Sequence, residues 1–287
     1  MLVGLRKNWI KWGNCILFHL ILTHASFAQN VYHEFEEAKG FWLGGENSLS
    51  EDLFKSLEQK FQTEPEMLAQ CYYYLGNINH VKGNFKAAIV YNKKILELDL
   101  GSEILKHSTL NGDHLKHLAC STLADIYLAS DNYKEALFFL SLESTKYSTS
   151  NSETLSGHFI PPDFVHSLNA KRWGDAYSGL GKYDSAVFVL LPYSFGEDRA
   201  NQLVFDKLRM VVTKAYDSAT TRAETKKMLS AGHRVDLKNR IIEIDIFQKS
   251  IRIPIDNSLQ MYFISQQTVR DFLLNSKPVQ FLLSADW

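Results

Sequence analysis

The sequence predicts a mainly α-helical protein, a stack of helical hairpins followed by a small β-rich unit. Three observations predict it. Three segments in the middle of the chain repeat one pattern of small, turn and aromatic residues. The hydrophobic period on either side of them is helical. From Asn239 onward that period switches to two.

The chain has 287 residues, 45 % hydrophobic and 22 % charged, with a formal net charge of −1. This is globular composition, and it lacks the basic field that nucleic-acid binding needs. Residues 1–28 read as a secretory signal peptide. Arg6, Lys7 and Lys11 precede the apolar run CILFHLILTHASF, and Ser26 and Ala28 are small residues ahead of a cut at Gln29. The run is too short to span a bilayer comfortably. The alternative is an uncleaved N-terminal anchor. Cys15 lacks the small residues before it that a lipoprotein site shows, and no later apolar run reaches membrane length. Cleavage leaves 28 Lys and Arg against 32 Asp and Glu. The mature protein is therefore expected to be periplasmic or extracellular and to have no membrane span. It keeps Cys71 and Cys120, which an oxidising compartment permits to pair. Both fall on apolar helix faces, so buried thiols are the expectation.

The helical elements follow in order. SLSEDLFKSLEQKFQ places Leu53, Phe54, Leu57 and Phe61 on one face and is expected to pair with residues 31–42 as an irregular first hairpin. Thr63, Pro65 and Glu66 read as a capping box with proline in the first turn. Then come the repeats, at 72–96, 121–143 and 171–193. Each has a large residue followed by a small one: Leu75-Gly76, Leu123-Ala124, Trp173-Gly174. Each then carries a turn residue (Gly83, Asp131, Gly181), an aromatic (Phe85, Tyr133, Tyr183) and an alanine (Ala88, Ala136, Ala186) at constant spacing. Tyr127 and Tyr177 also correspond. The small residue and the alanine let two helices approach closely, and the aromatics fill the space between hairpins. The stretches between repeats are expected to lengthen helices or form loops, the second being a Ser-, Thr- and Pro-rich surface loop. Residues 199–219 read as a strong amphipathic helix, and Thr221 with Glu224 caps another that ends near His233. These helices would close the apolar end of the stack.

This order of positions resembles the tetratricopeptide repeat family. The repeats recur here at offsets of 48 and 50 residues, longer than that family's repeat. The resemblance implies a concave surface lined by first helices that holds a peptide or a partner segment. It places Tyr73, Asn77, Asp125, Lys171 and Asp175 on that surface, with Asn77, Asp125 and Asp175 at equivalent places. Two of those three are acidic, which disfavours a groove built to grip a terminal carboxylate. The plain alternative is that these are solvated helix positions.

In the C-terminal unit, IIEIDIF and SIRIPI alternate isoleucine with polar residues and predict a hairpin with a turn at Gln248 and Lys249. QMYFI is expected as a third strand, residues from Ser265 as a capped helix, and PVQFLL as a last strand whose edge is open to a partner. The order hairpin, Asp256, strand, Ile264-Ser265, helix resembles the first half of a retropepsin-like aspartic peptidase. Asn257-Ser258 stands where that family has Thr/Ser-Gly. A carboxylate dyad needs two such aspartates, so one chain would act only as a dimer. Asp256 is read as a strand-end or turn residue, and as a catalytic carboxylate only in the alternative.

The expected organisation is a signal peptide (1–28), a helical repeat domain (29–237) and a β-hairpin and helix unit (238–287). The expected function is a non-catalytic protein–protein interaction scaffold that binds a peptide or protein partner and uses no cofactor. The alternative is an aspartic endopeptidase whose repeats recruit substrate. His114 and His117 lack further ligands at metal-site spacing, and no phosphate loop or nucleophile motif occurs.

Overall fold

The computed structural model describes residues 30–101, 104–105, 108, 110–147, 162–196, 199–255 and 266–284. The expected signal peptide, the expected surface loop over residues 148–161 and residues 256–265 lie outside them. So do Asp256, the expected third strand and the Ser265 cap. The protein divides into two compact units, with the boundary between Thr122 and Leu123.

The first unit contains α1 (30–43), α2 (Asn47–Lys60), α3 (Pro65–Val81), α4 (Phe85–Glu97) and most of α5 (Gly112–Ala129). Its core gathers Phe35, Phe54, Leu57, Phe61, Met67, Leu75, Ile78 and Ile95. Cys71 and Cys120 are both buried, as thiols. Burial pushes the Cys71 thiol well above its ordinary range, which keeps it protonated and inert.

The second unit takes the end of α5, then α6 (Tyr133–Thr145), α7 (Pro162–Gly179), α8 (Tyr183–Leu190), a 3-10 turn (Leu191–Tyr193), α9 (Arg199–Ala215) and α10 (Ser218–Ser230). The strands β1 (Arg234–Asp236), β2 (Ile241–Ile246) and β3 (Lys249–Pro254) come next, followed by α11 (Gln266–Asn275) and α12 (Lys277–Leu283).

The repeat pattern is visible as backbone geometry. Gly83, Asp131 and Gly181 adopt φ of 74°, 57° and 70°, the left-handed conformation that ends a helix. The following amide donates back across the turn each time: Asn84 to Asn79 O at 2.8 Å, Asn132 to Tyr127 O at 2.9 Å, Lys182 to Tyr177 O at 2.9 Å. The small residues make the close approach. A Cβ on Gly76 would lie 2.7 Å from the Asn92 side chain, and one on Gly174 would lie 2.6 Å from Leu190.

The same turn recurs between α1 and α2. Gly45 has φ of 81° and Glu46 N–H donates to Phe41 O at 2.8 Å. Ala38 and Ser50 hold the small positions, and the buried Ser50 hydroxyl donates to Ala38 O at 2.9 Å. The expected irregular first hairpin is therefore built like the other three.

Some boundaries differ from expectation. α3 starts at Pro65 behind Glu64, with no side-chain capping bond, so the Thr63 capping box is not made. α10 is capped by Asp217, whose carboxylate accepts from Thr220 N–H at 2.8 Å. Thr221 lies inside that helix, buried, with its hydroxyl donating to Asp217 O.

The sheet is antiparallel in the order β1-β2-β3. Ile242 pairs with Ile253 and Ile244 with Ile251, so the isoleucines share the buried face, as alternation requires. The turn falls on Phe247 and Gln248, one residue earlier than expected, with both at positive φ. PVQFLL is helical, not a strand. Pro278 sits in the first turn of α12, and Pro278, Val279 and Leu282 are buried at helical spacing. The open strand edge expected there does not exist. Sheet, α11 and α12 share one hydrophobic core with α8, α9 and α10. Phe247 stacks on Tyr216 at 4.1 Å, and the Lys249 ammonium lies 3.8 Å over the Phe188 ring.

Candidate functional site

Within the second unit, a cavity of about 570 Å³ opens along α5, α7 and α9. That volume lies in the range of ligand sites. These helices present one polar face each. Asp125 and Ala129 come from α5, and Lys171, Arg172, Asp175 and Ser178 from α7. Lys207, Met210 and Lys214 come from α9, whose opposite face buries Val204, Leu208 and Val212 in the core. Tyr133 and Tyr183 wall it at the hairpin turns.

Each wall is fixed locally. The Tyr133 ring lies against Gly179, where a Cβ would collide with it, and its hydroxyl donates to Asp131 at 2.5 Å. That bond to a carboxylate, with a smaller contribution from burial, raises the Tyr133 pKa and keeps the phenol protonated. Lys214 extends over the Tyr183 ring at 5.4 Å.

Electrostatics organise the floor. Arg172 donates from Nε to Asp125 at 2.8 Å and from one terminal nitrogen to both Glu143 oxygens at 3.2 Å and to Asn169 at 3.0 Å. Glu143 is buried behind it on α6. Asp175 accepts from Lys171 at 2.7 Å and from Lys207 at 2.8 Å, so one carboxylate joins α7 to α9.

Three of the five residues expected from sequence, Asp125, Lys171 and Asp175, therefore meet in one cavity. Tyr73 and Asn77 belong to the first unit and do not line it. There, Tyr73 bonds to Asn77 one helical turn on, and burial raises its pKa. Sequence reasoning missed Arg172, Lys207, Met210 and Lys214. The signal on α9 was the seven-residue spacing of two lysines on the face opposite its apolar stripe.

Among the described residues, no histidine or cysteine lines the cavity, and the Ser178 hydroxyl donates to the Asp175 carbonyl at 3.0 Å. The arrangement offers charges and rings for binding. Among the described residues, no group of three His, Cys, Asp or Glu side chains is placed to hold a metal ion. No helix among them is long and apolar enough to cross a membrane.

No family model matches the chain, and no curated protein or solved structure matches it.

Proposed function

We propose that this protein is an exported, tetratricopeptide-like interaction scaffold, and that the cavity on α5, α7 and α9 receives an extended segment of a partner protein. The observation that carries this reading is the convergence of three successive first helices on one cavity. Its floor is charged and braced, while Met210 stands 61 % exposed on its wall. Rigid polar groups beside an exposed apolar side chain suit an extended peptide, whose side chains alternate along its length.

The test is selection of a random peptide library displayed on phage against the immobilised protein. Ala129, exposed on the cavity wall, is replaced by tryptophan to fill the site. The reading expects selected peptides that lose binding to Ala129→Trp. Selection that yields only peptides indifferent to that substitution contradicts it.

A further inference from the structure

We propose that the segment this cavity receives is acidic, and that Asp175 is a built-in competitor for its carboxylates. The inference rests on the cavity being a binding site. Four cations line it, Lys171, Arg172, Lys207 and Lys214, against the carboxylates of Asp125 and Asp175. They are unequally committed. Arg172 is held by Asp125, Glu143 and Asn169 and works as a brace. Lys171 and Lys207 share the single carboxylate of Asp175. Lys214 meets the Tyr183 ring and, among the described residues, no carboxylate. The nearby acids are engaged elsewhere: Asp217 by Thr220, and Asp184 by the Tyr216 hydroxyl.

Three ammonium groups on α7 and α9 therefore have one carboxylate among them. Lys207 and Lys214 lie two turns apart, roughly 10 Å along the helix. Met210 stands exposed between them. An acidic segment with an apolar side chain matches that spacing. A polyanion such as nucleic acid does not, because Asp125 and Asp175 face it and the whole chain carries no basic excess.

Asp175 occupies the place that a ligand carboxylate would take between Lys171 and Lys207. With its side chain 26 % exposed, it is accessible to exchange. The consequence has a distinctive sign. If Asp175 merely tied α7 to α9, losing its charge would loosen the cavity and weaken binding. If it competes, Asp175→Asn releases two lysines to the ligand and strengthens binding.

The experiment is fluorescence anisotropy on the whole protein with two labelled decapeptides, one alternating glutamate with leucine and the other glutamine with leucine. The expected result is binding of the glutamate peptide, weakened by salt, with the glutamine peptide several-fold weaker. Asp175→Asn tightens the glutamate peptide several-fold. Lys214→Gln, at an exposed position on α9, weakens it. Equal binding of both peptides, or Asp175→Asn that weakens binding of the glutamate peptide or leaves it unchanged, overturns the inference and leaves the cavity as a binding site. Absence of any binding that Ala129→Trp removes also overturns it, and the phage selection then decides whether the binding site falls with it.

Discussion

Arg172 on α7 donates to both carboxylate oxygens of the buried Glu143 on α6 at 3.2 Å. A buried ion pair is weak evidence of net stability, but breaking it from one side leaves a charge in a poor environment. Arg172→Met should therefore cost roughly 3 kcal/mol. The double variant Arg172→Met/Glu143→Leu should recover much of that loss. Urea unfolding of the two variants measures it. A double variant no more stable than the single one would show that the pair does not set the cost.

The left-handed turns make a second test. Gly181 has φ of 70°, where a side chain is strained, so Gly181→Ala should lower stability by about 1 kcal/mol or more. Gly40 lies inside α1 with nothing near its missing Cβ, and Gly40→Ala should raise stability by roughly 0.5–1 kcal/mol. Opposite shifts of the thermal midpoint are expected. Shifts of the same sign would contradict the assignment of the turn.

His233 sits buried between α10 and β1, its Nε2 without a hydrogen-bond partner among the described residues. Its backbone is clasped by Gln266, which accepts from the N–H at 2.9 Å and donates to the carbonyl at 2.5 Å. Burial lowers the His233 pKa, and Arg270 on α11 lowers it further. The neutral form is therefore favoured in the fold. As pH falls below the ordinary histidine value of 6.5, the unfolded chain takes up a proton first, and stability drops until the folded pKa is passed. The thermal midpoint should decline between about pH 7 and pH 5. His233→Gln, which gains no charge, should flatten that slope. An unchanged slope in the variant would place the titration elsewhere.

The proposed export supplies a direct expectation. Protein recovered outside the cytoplasm should begin at Gln29 on N-terminal sequencing, and protein that retains Met1 would contradict cleavage there.

Much of the fold was legible because its key positions are local. Gly83, Asp131 and Gly181 announce turns through backbone conformation, and the isoleucine alternation of β2 and β3 fixes a buried face. The construction of the first hairpin was harder to see, because Asn47 replaces the aromatic and Ser50 the alanine of the other repeats. PVQFLL was misread because a short apolar run suits either a strand or a buried helix. Its spacing of Pro278, Val279 and Leu282, with proline in the first turn, is the signal that decides for helix. At the site, Asp125, Lys171 and Asp175 were readable from the repeat register. Lys207 and Lys214 were not, since α9 follows the last repeat and joins the cavity only through tertiary packing against α7 and α8.

The most direct test of the central claim is photocrosslinking in the cells that make the protein. A photoreactive amino acid replaces Ala129 in the cavity or, as control, Ser141, exposed on α6. The account predicts a discrete adduct from position 129, absent from position 141 and lost when Lys207→Glu and Lys214→Glu reverse the charge of the α9 wall. Adducts that form equally from both positions, or that survive the charge reversal, would contradict a binding site in this cavity.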